Sequence, residues 1–481
     1  MNPLVDWNLN KNYSPELTAV IYKNTKLTYF QLDTGINSRV YALQQEGIRR
    51  GNHVPLISEN NPDFIINTFA LWRLGAIPVP VNTRLIDKEI EELLSFTGCT
   101  HAIVDKALNR EIQIKSCKII SEFSLPGNEV LSSAIIPSEN ETAVIIYTSG
   151  STGKPKGVEI SFGNLISSAL TGNTFLNHRT DDKWLTSLPF YHIGGFSIFV
   201  RALLFGASVI IPDSLSAENI CKSITLHKPT LASLVSTQLL NLIESGCNPN
   251  EELRNILLGG GFVETELLKK ALTSGWNVSK VYGSSETASM VTALSCKEKV
   301  KLNSAGKALS GNEIVIVDDN GKILPPGMSG EILVKGPTAA KGYLNNPEET
   351  SAKFVDGYYH SGDIGYLDDE GYLFIEARRT DLIISGGENI NPLEVEKEIL
   401  KHPGIIEAAV FGIDDKKWGQ SVAAAIVTKN KKQITIEELK VSLKDKLSGY
   451  KIPRKLFIID ELPRNDLGKV QREKLKELLP G

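Results

Sequence analysis

Two hydrophobic periods alternate along the chain. Phe64 to Trp72 carries apolar residues at helical spacing, Gly75 to Pro80 reads as a strand entered through a turn, and Lys88 to Phe96 is again helical. This alternation starts near Leu17. It continues through Ala102-Ile103-Val104 to the β-branched run Ala143-Val144-Ile145-Ile146, a buried strand with a helix-like segment following Ser161. Leu231 to Leu240 and Ile256 to Phe262 each read as a buried strand running into a loop. Strands that alternate with helices imply a parallel sheet, so the expected class is α/β. Turn-rich text at Asp318-Asp319-Asn320-Gly321 and Pro325-Pro326-Gly327 predicts hairpins of a smaller β-unit that closes the large domain. Beyond Arg378-Arg379-Thr380-Asp381, the run Leu382-Ile383-Ile384 is a short strand leading into a Gly-rich turn. The expected organisation is a large N-terminal domain of mixed or parallel sheets with helices plus the β-unit, residues 1–379, and a small α+β domain, residues 380–481.

Composition narrows the function classes. A chain of 481 residues is long enough for two to four structural units with a sizeable core. Its 52 basic and 56 acidic residues nearly cancel, to −4, which leaves no basic field for nucleic acid or an anionic membrane and points to small-molecule partners. Five cysteines, scattered and without a CxxC pair, predict reduced thiols rather than a disulfide frame or a zinc site. The start lacks a basic region followed by an apolar one, and no apolar run reaches membrane-spanning length. A cytoplasmic protein without an integral membrane segment is the expectation. Oligomeric state is not encoded in any of these features.

The strongest chemical signal is Tyr147-Thr148-Ser149-Gly150-Ser151-Thr152-Gly153-Lys154-Pro155-Lys156-Gly157. Glycines let backbone N–H groups turn toward an anion, Ser and Thr hydroxyls donate to phosphate oxygens, and lysines add charge, so the stretch reads as a polyphosphate cradle. A flexible linker would not follow a buried strand. Nor is this a Walker A loop, because Pro155 follows Lys154 and no glycine stands at the required distance before Gly153. Four further segments carry candidate chemistry. In Leu188-Pro189-Phe190-Tyr191-His192-Ile193-Gly194-Gly195 a histidine precedes two glycines, which by itself also suits an ordinary loop. Gly259, Gly260 and Gly261 end a strand, where a flat ring could approach backbone. Tyr282-Gly283-Ser284-Ser285-Glu286-Thr287 sets an aromatic ring ahead of a carboxylate and a hydroxyl, a set suited to adenine stacking, Mg²⁺ ligation and a phosphate hydrogen bond. Asp363 could accept both ribose hydroxyls at once.

The cradle resembles the signature phosphate loop of the adenylate-forming enzymes, the superfamily of acyl-CoA synthetases, peptide-synthetase adenylation domains and luciferases. The resemblance covers essentially the whole chain and implies the following roles. ATP is the cofactor, with Thr148, Ser149, Gly150, Ser151, Thr152, Gly153 and Lys156 on its phosphates. Gly259, Gly260, Gly261 and Tyr282 hold adenine, and Asp363 and Arg378 hold ribose. Glu286 ligates Mg²⁺, Thr287 meets the α-phosphate, and His192 orients the acid and shapes its pocket. Ala288-Ser289-Met290 lie where substrate contacts are expected. Lys469, in Leu462-Pro463-Arg464-Asn465-Asp466-Leu467-Gly468-Lys469, matches the lysine whose ammonium bridges the substrate carboxylate and the α-phosphate. Gly386 and Gly387 match the turn that lines the coenzyme A tunnel. The small domain is mobile in this family and pivots near Thr380, a position more often Asp or Lys; the departure touches no reacting atom.

The implied reaction joins a carboxylic acid, ATP and coenzyme A. Attack of the carboxylate on the α-phosphorus expels pyrophosphate, and the thiol then displaces AMP from the acyl carbon. Two anions must meet in the first step, so positioned cations and donors carry it. The segments Leu234 to Leu239, Ile256 to Gly260 and Asp381 to Ile390 look most like the o-succinylbenzoate:CoA ligases of menaquinone biosynthesis, whereas Ser284 to Ala288 and Ser236 vary from that branch. Another aryl or medium-chain acyl-CoA ligase is the alternative, and a stand-alone adenylation enzyme serving a carrier protein is a more distant one. A nucleotide-binding scaffold without activity would be expected to have lost Lys469, Glu286 or Asp363, and all three are present.

Overall fold

The structure, a computed structural model, describes residues 13–108, 110–123, 135–149, 155–261, 263, 265–298, 300–377, 382–429, 433–463, 470 and 472–477. The chain divides into two compact units. One comprises Met1–Thr83, Leu94–Tyr147 and Gly157–Arg378, and the other Arg84–Leu93, Thr148–Lys156 and Arg379–Gly481.

The first unit is built on a nine-stranded sheet. Its order is Lys307–Ala308, Ser289–Leu294, Val278–Ser284, Asn255–Leu258, Leu231–Leu234, Lys183–Leu185, Ser208–Ile211, Thr18–Tyr22 and Thr25–Thr28. The six inner strands, from Val278–Ser284 to Thr18–Tyr22, run parallel, and the outer strands are antiparallel. Fully buried inner strands explain the continuous apolar runs in the sequence, since both faces of such a sheet are covered. A four-stranded parallel sheet contains Ile77–Pro80, His53–Ile57, His101–Val104 and Lys118–Ile120. Pro78 and Pro80 are tolerated because their strand is an edge. The expected β-unit is a five-stranded sheet of Glu313–Val317, Gly330–Lys335, Tyr358–Leu367, Phe354–Val355 and Leu373–Ala377.

Local sequence sets the helix ends. Asn61 caps Pro62–Leu74 through the Phe64 amide, and Gly75 closes that helix at φ 68°, in the left-handed region. Trp72 on this helix donates to the Ala143 carbonyl at 2.7 Å, which fixes the strand Thr142–Ser149 against it. Ser161 and Asn164 form a capping box at the start of Phe162–Leu176. The end of the Tyr147–Gly157 stretch is itself part of a strand the sequence reading omitted, Pro155–Ser161, with Lys156, Val158 and Ile160 buried at a spacing of two.

The second unit carries a mixed sheet of Glu388–Ile390, Ile383–Ser385, Gly419–Thr428, Ile405–Asp415 and Lys455–Ile458, with helices Pro392–Ile399, Ile436–Leu443 and Arg472–Glu477. One expectation is corrected. Cys221 and Cys247 form a disulfide, of which Cys99, Cys117 and Cys296 are not part. Tertiary folding brings their Cα atoms to 5.9 Å across a separation of 26 residues, a proximity that spacing alone does not reveal.

Candidate functional site

The strand Val278–Ser284 ends at the site. Its last turn, Ser285–Thr287, is followed by Ala288 at φ 48° and Ser289 at φ 103°, so the chain reverses within two residues and returns as Ser289–Leu294. Gly283 makes the reversal feasible, since a Cβ there would lie 1.7 Å from the Ser289 carbonyl oxygen. Glu286 is buried, accepts a hydrogen bond from the Tyr343 hydroxyl at 2.9 Å, and is held by its own carbonyl accepting from Ala340 N at 2.8 Å. Among the described residues no group of three or more His, Cys, Asp or Glu side chains is placed to hold a metal. A single oriented carboxylate fits Mg²⁺, which keeps waters and takes most of its other ligands from phosphates. Thr287 is buried, and its hydroxyl accepts from Ser284 N and contacts the Ser284 and Ser289 carbonyls at 3.2 and 3.1 Å. Donating to a phosphate therefore requires releasing one of those carbonyls.

Tyr282 and Asp363 meet directly, the tyrosine hydroxyl donating to Asp363 Oδ2 at 2.7 Å. This bond ties the carboxylate of Asp363 to the ring proposed to face adenine. Gly259 lies beside Val281 on the neighbouring parallel strand, where a Cβ would come within 2.7 Å of the valine side chain; Gly260 has φ 77°. These glycines stand at the carboxyl ends of parallel strands, where ligands of open α/β sheets gather.

His192 heads the helix Ile193–Leu204 and makes no side-chain cap bond; its ring lies 4.8 Å from that of Tyr191. Asn60 fixes the preceding backbone by donating to Leu188 O and accepting from Phe190 N, both at 2.8 Å. Gly195 is obligatory, because a Cβ would fall 2.1 Å from the Pro189 carbonyl oxygen. The same helix reaches the reversed turn, with Ser197 Oγ 3.4 Å from Ser289 Oγ.

Arg201 lies on that helix and was not singled out from sequence. It is 2% exposed, donates to Ser168 Oγ at 2.8 Å, leaves Nε without a partner, and has no carboxylate paired with it among the described residues. Burial lowers its pKa to about 10. A signal was available, since Arg201 is the sole charge in the apolar helix Ile193–Leu204.

In the second unit Thr148 and Ser149 end one strand, and Lys156, buried, belongs to the next. Gly386 and Gly387 have φ of 58° and 86°, and the Gly386 amide donates to Trp418 O at 2.8 Å, which secures the turn. Gly150, Ser151, Thr152, Gly153, Arg378, Thr380 and Lys469 lie outside the described residues.

Comparison with known proteins agrees over the full length. The family description "AMP-binding enzyme" matches residues 8–344, and "AMP-binding enzyme C-terminal domain" matches residues 394–469. The chain is 37% identical over 477 residues to the 2-succinylbenzoate–CoA ligase of Bacillus pumilus, covering 98% of this chain and 97% of that one. Identity to the ligase of the same name from Bacillus subtilis is 36% over 471 residues, with 97% and 96% covered. A double mutant of the Bacillus subtilis o-succinylbenzoate CoA synthetase bound to the product analogue OSB-NCoA superposes with TM-score 0.91 at 35% identity, covering 98% of both chains. The same synthetase with ATP and magnesium gives 0.74 at 35% identity, covering 98% of this chain and 99% of that one.

Proposed function

The chain belongs to the AMP-binding enzyme family, and from that premise we propose that it joins 2-succinylbenzoate to coenzyme A, forming AMP and pyrophosphate, in the cell interior. The observation that carries the choice of acid is Arg201, a buried guanidinium with no carboxylate beside it among the described residues, on the helix headed by His192. A buried cation lacking an anion is costly unless a ligand supplies one. 2-Succinylbenzoate has two carboxylates, so one can be activated while the other pairs with Arg201. A medium-chain fatty acid has only one and leaves the arginine unmatched.

The residues divide the labour. Tyr282 and Gly259 to Gly261 receive adenine, Asp363 with Arg378 receives ribose, and the cradle from Thr148 to Lys156 receives the β- and γ-phosphates. Glu286 would hold Mg²⁺, which when bound offsets charge on the phosphates. His192 lines the wall against which the acid rests, and Thr287 exchanges a backbone carbonyl for an α-phosphate oxygen. Lys469 brings its ammonium to the carboxylate and the α-phosphate as they meet, the point at which a compact cation is worth most. The domain reading of residues 1–379 and 380–481, with a hinge at Thr380, supplies the second step, as the Gly386-Gly387 turn replaces Lys469 and admits the thiol.

Pyrophosphate exchange into ATP tests the acid. Exchange should be fast with 2-succinylbenzoate and at least tenfold slower with the analogue lacking the ring carboxylate; equal rates, or faster exchange with medium-chain acids, would reject the choice. Formation of ADP and phosphate would reject adenylation itself. Lys469→Ala should abolish exchange yet still convert synthetic acyl-AMP to thioester, and equal loss of both half-reactions would oppose the two-step reading.

A further inference from the structure

Asp363 stands on an irregular stretch of strand. Gly330–Lys335 and Tyr358–Leu367 pair antiparallel, but Glu331 lies opposite Ile364 and Leu333 opposite His360. Three residues, Ser361 to Asp363, therefore face the single residue Ile332, and Gly362 takes φ 75°. Such a bulge breaks the ladder, so its backbone groups need other partners. Side chains supply them. Ser361 Oγ donates to Ile332 O at 2.6 Å and accepts from Asp363 N at 3.0 Å. The Gly362 amide donates to Glu331 Oε1 at 2.9 Å, and Glu331 Oε2 lies 3.2 Å from His360 Nδ1. One carboxylate thus joins both ends of the Ser361-Gly362 excursion from which Asp363 projects.

As a source of stability this pair counts for little, since the Glu331 and His360 side chains are 29% and 26% exposed. Its consequence is geometric. We propose that Glu331 is a positioning residue for nucleotide binding: it fixes the bulge that aims Asp363 at the ribose hydroxyls, and His360 orients it for that purpose. The inference rests on the ribose role of Asp363 given above. Ser361 holds the Asp363 amide and Tyr282 its carboxylate, whereas Glu331 acts on a different amide of the bulge, that of Gly362.

The test is steady-state kinetics of four variants of the full chain with ATP, 2′-deoxy-ATP and 3′-deoxy-ATP, with thermal unfolding recorded alongside. Glu331→Ala should raise KM for ATP roughly tenfold, the size of one lost charge-assisted hydrogen bond, and leave kcat and the KM of acid and coenzyme A within about twofold. Glu331→Gln keeps an acceptor for the Gly362 amide and should recover most of the loss. Asp363→Ala should raise KM for ATP and abolish discrimination against the deoxy analogues, and adding Glu331→Ala to it should raise KM no further. If Glu331→Ala shifts the KM of every substrate alike together with a large fall in Tm, or if the two substitutions add, Glu331 does not act through Asp363. If Asp363→Ala leaves ATP binding and ribose discrimination intact, the ribose assignment itself has failed and the inference falls with it.

Discussion

Two buried cations, one in each unit, contrast sharply. Arg201 and Lys451 are 2% and 7% exposed, so each loses nearly all of its hydration. Lys451 is placed 2.7 Å from both Glu89 and Glu394, with Ser448 donating to Glu89. Burial alone would lower its pKa, but the two carboxylates outweigh that and raise it. Arg201 has a serine hydroxyl and, among the described residues, no carboxylate, and burial lowers its pKa to about 10. Equal burial therefore gives opposite shifts. The difference teaches that a saturated cation is part of the fold, whereas an unmatched one marks a place prepared for an anion brought from outside.

The comparison predicts effects that cross over. Lys451→Met strands two partly buried carboxylates and should cost about 3 kcal/mol in denaturant-unfolding free energy; a loss below about 1 kcal/mol would show that this cluster is not structural. Arg201→Leu removes an unmatched charge, so the unfolding midpoint should hold or rise, while kcat/KM for the dicarboxylic acid should fall by about 2–3 kcal/mol, roughly 30- to 150-fold. Loss of stability with unchanged kcat/KM would make Arg201 a structural residue and end the contrast.

His178 sharpens the Arg201 side. It stacks on Phe205 at 4.8 Å, and burial first, then the charge of Arg201, depress its pKa from 6.5 to about 3. Its folded-state pKa lies below the unfolded one, so the fold holds the neutral ring. This stabilisation is whole above pH 6.5 and is lost as pH falls toward 3, by up to about 1.4 kcal/mol per pH unit. Urea unfolding across that range should show a shallower slope in His178→Phe than in the parent chain; identical slopes would remove the effect. The smallest change belongs to Glu394→Gln. Burial raises the pKa of Glu394 against the pull of Lys451, and the substitution leaves the Lys451–Glu89 pair in place, so stability at pH 7 should move by less than about 1 kcal/mol.

Much of the fold was readable because its signals are local. The helix Pro62–Leu74 announces itself through apolar spacing, the Asn61 cap and the Gly75 stop, and the hairpin at Asp318–Gly321 through turn residues. Tyr282, Glu286 and Thr287 stood out in the sequence because they fall within a few residues of one another, on one strand and the turn that ends it. Other features were hidden. The strand Pro155–Ser161 overlaps a Gly-rich stretch whose composition suggested loop throughout. Cys221 and Cys247 look unrelated in the sequence. Glu331 lies some thirty residues before the aspartate whose bulge it braces, and nothing short of strand register connects them.

By itself the sequence determined the layer type and the family, since each depends on residue type and short spacing. Tertiary structure alone decided that Tyr282 meets Asp363, that the buried Arg201 has no carboxylate beside it among the described residues, and that Glu331 braces the bulge before Asp363. These properties belong to pairs of residues that the chain holds far apart, and only packing fixes their distance and their dielectric surroundings.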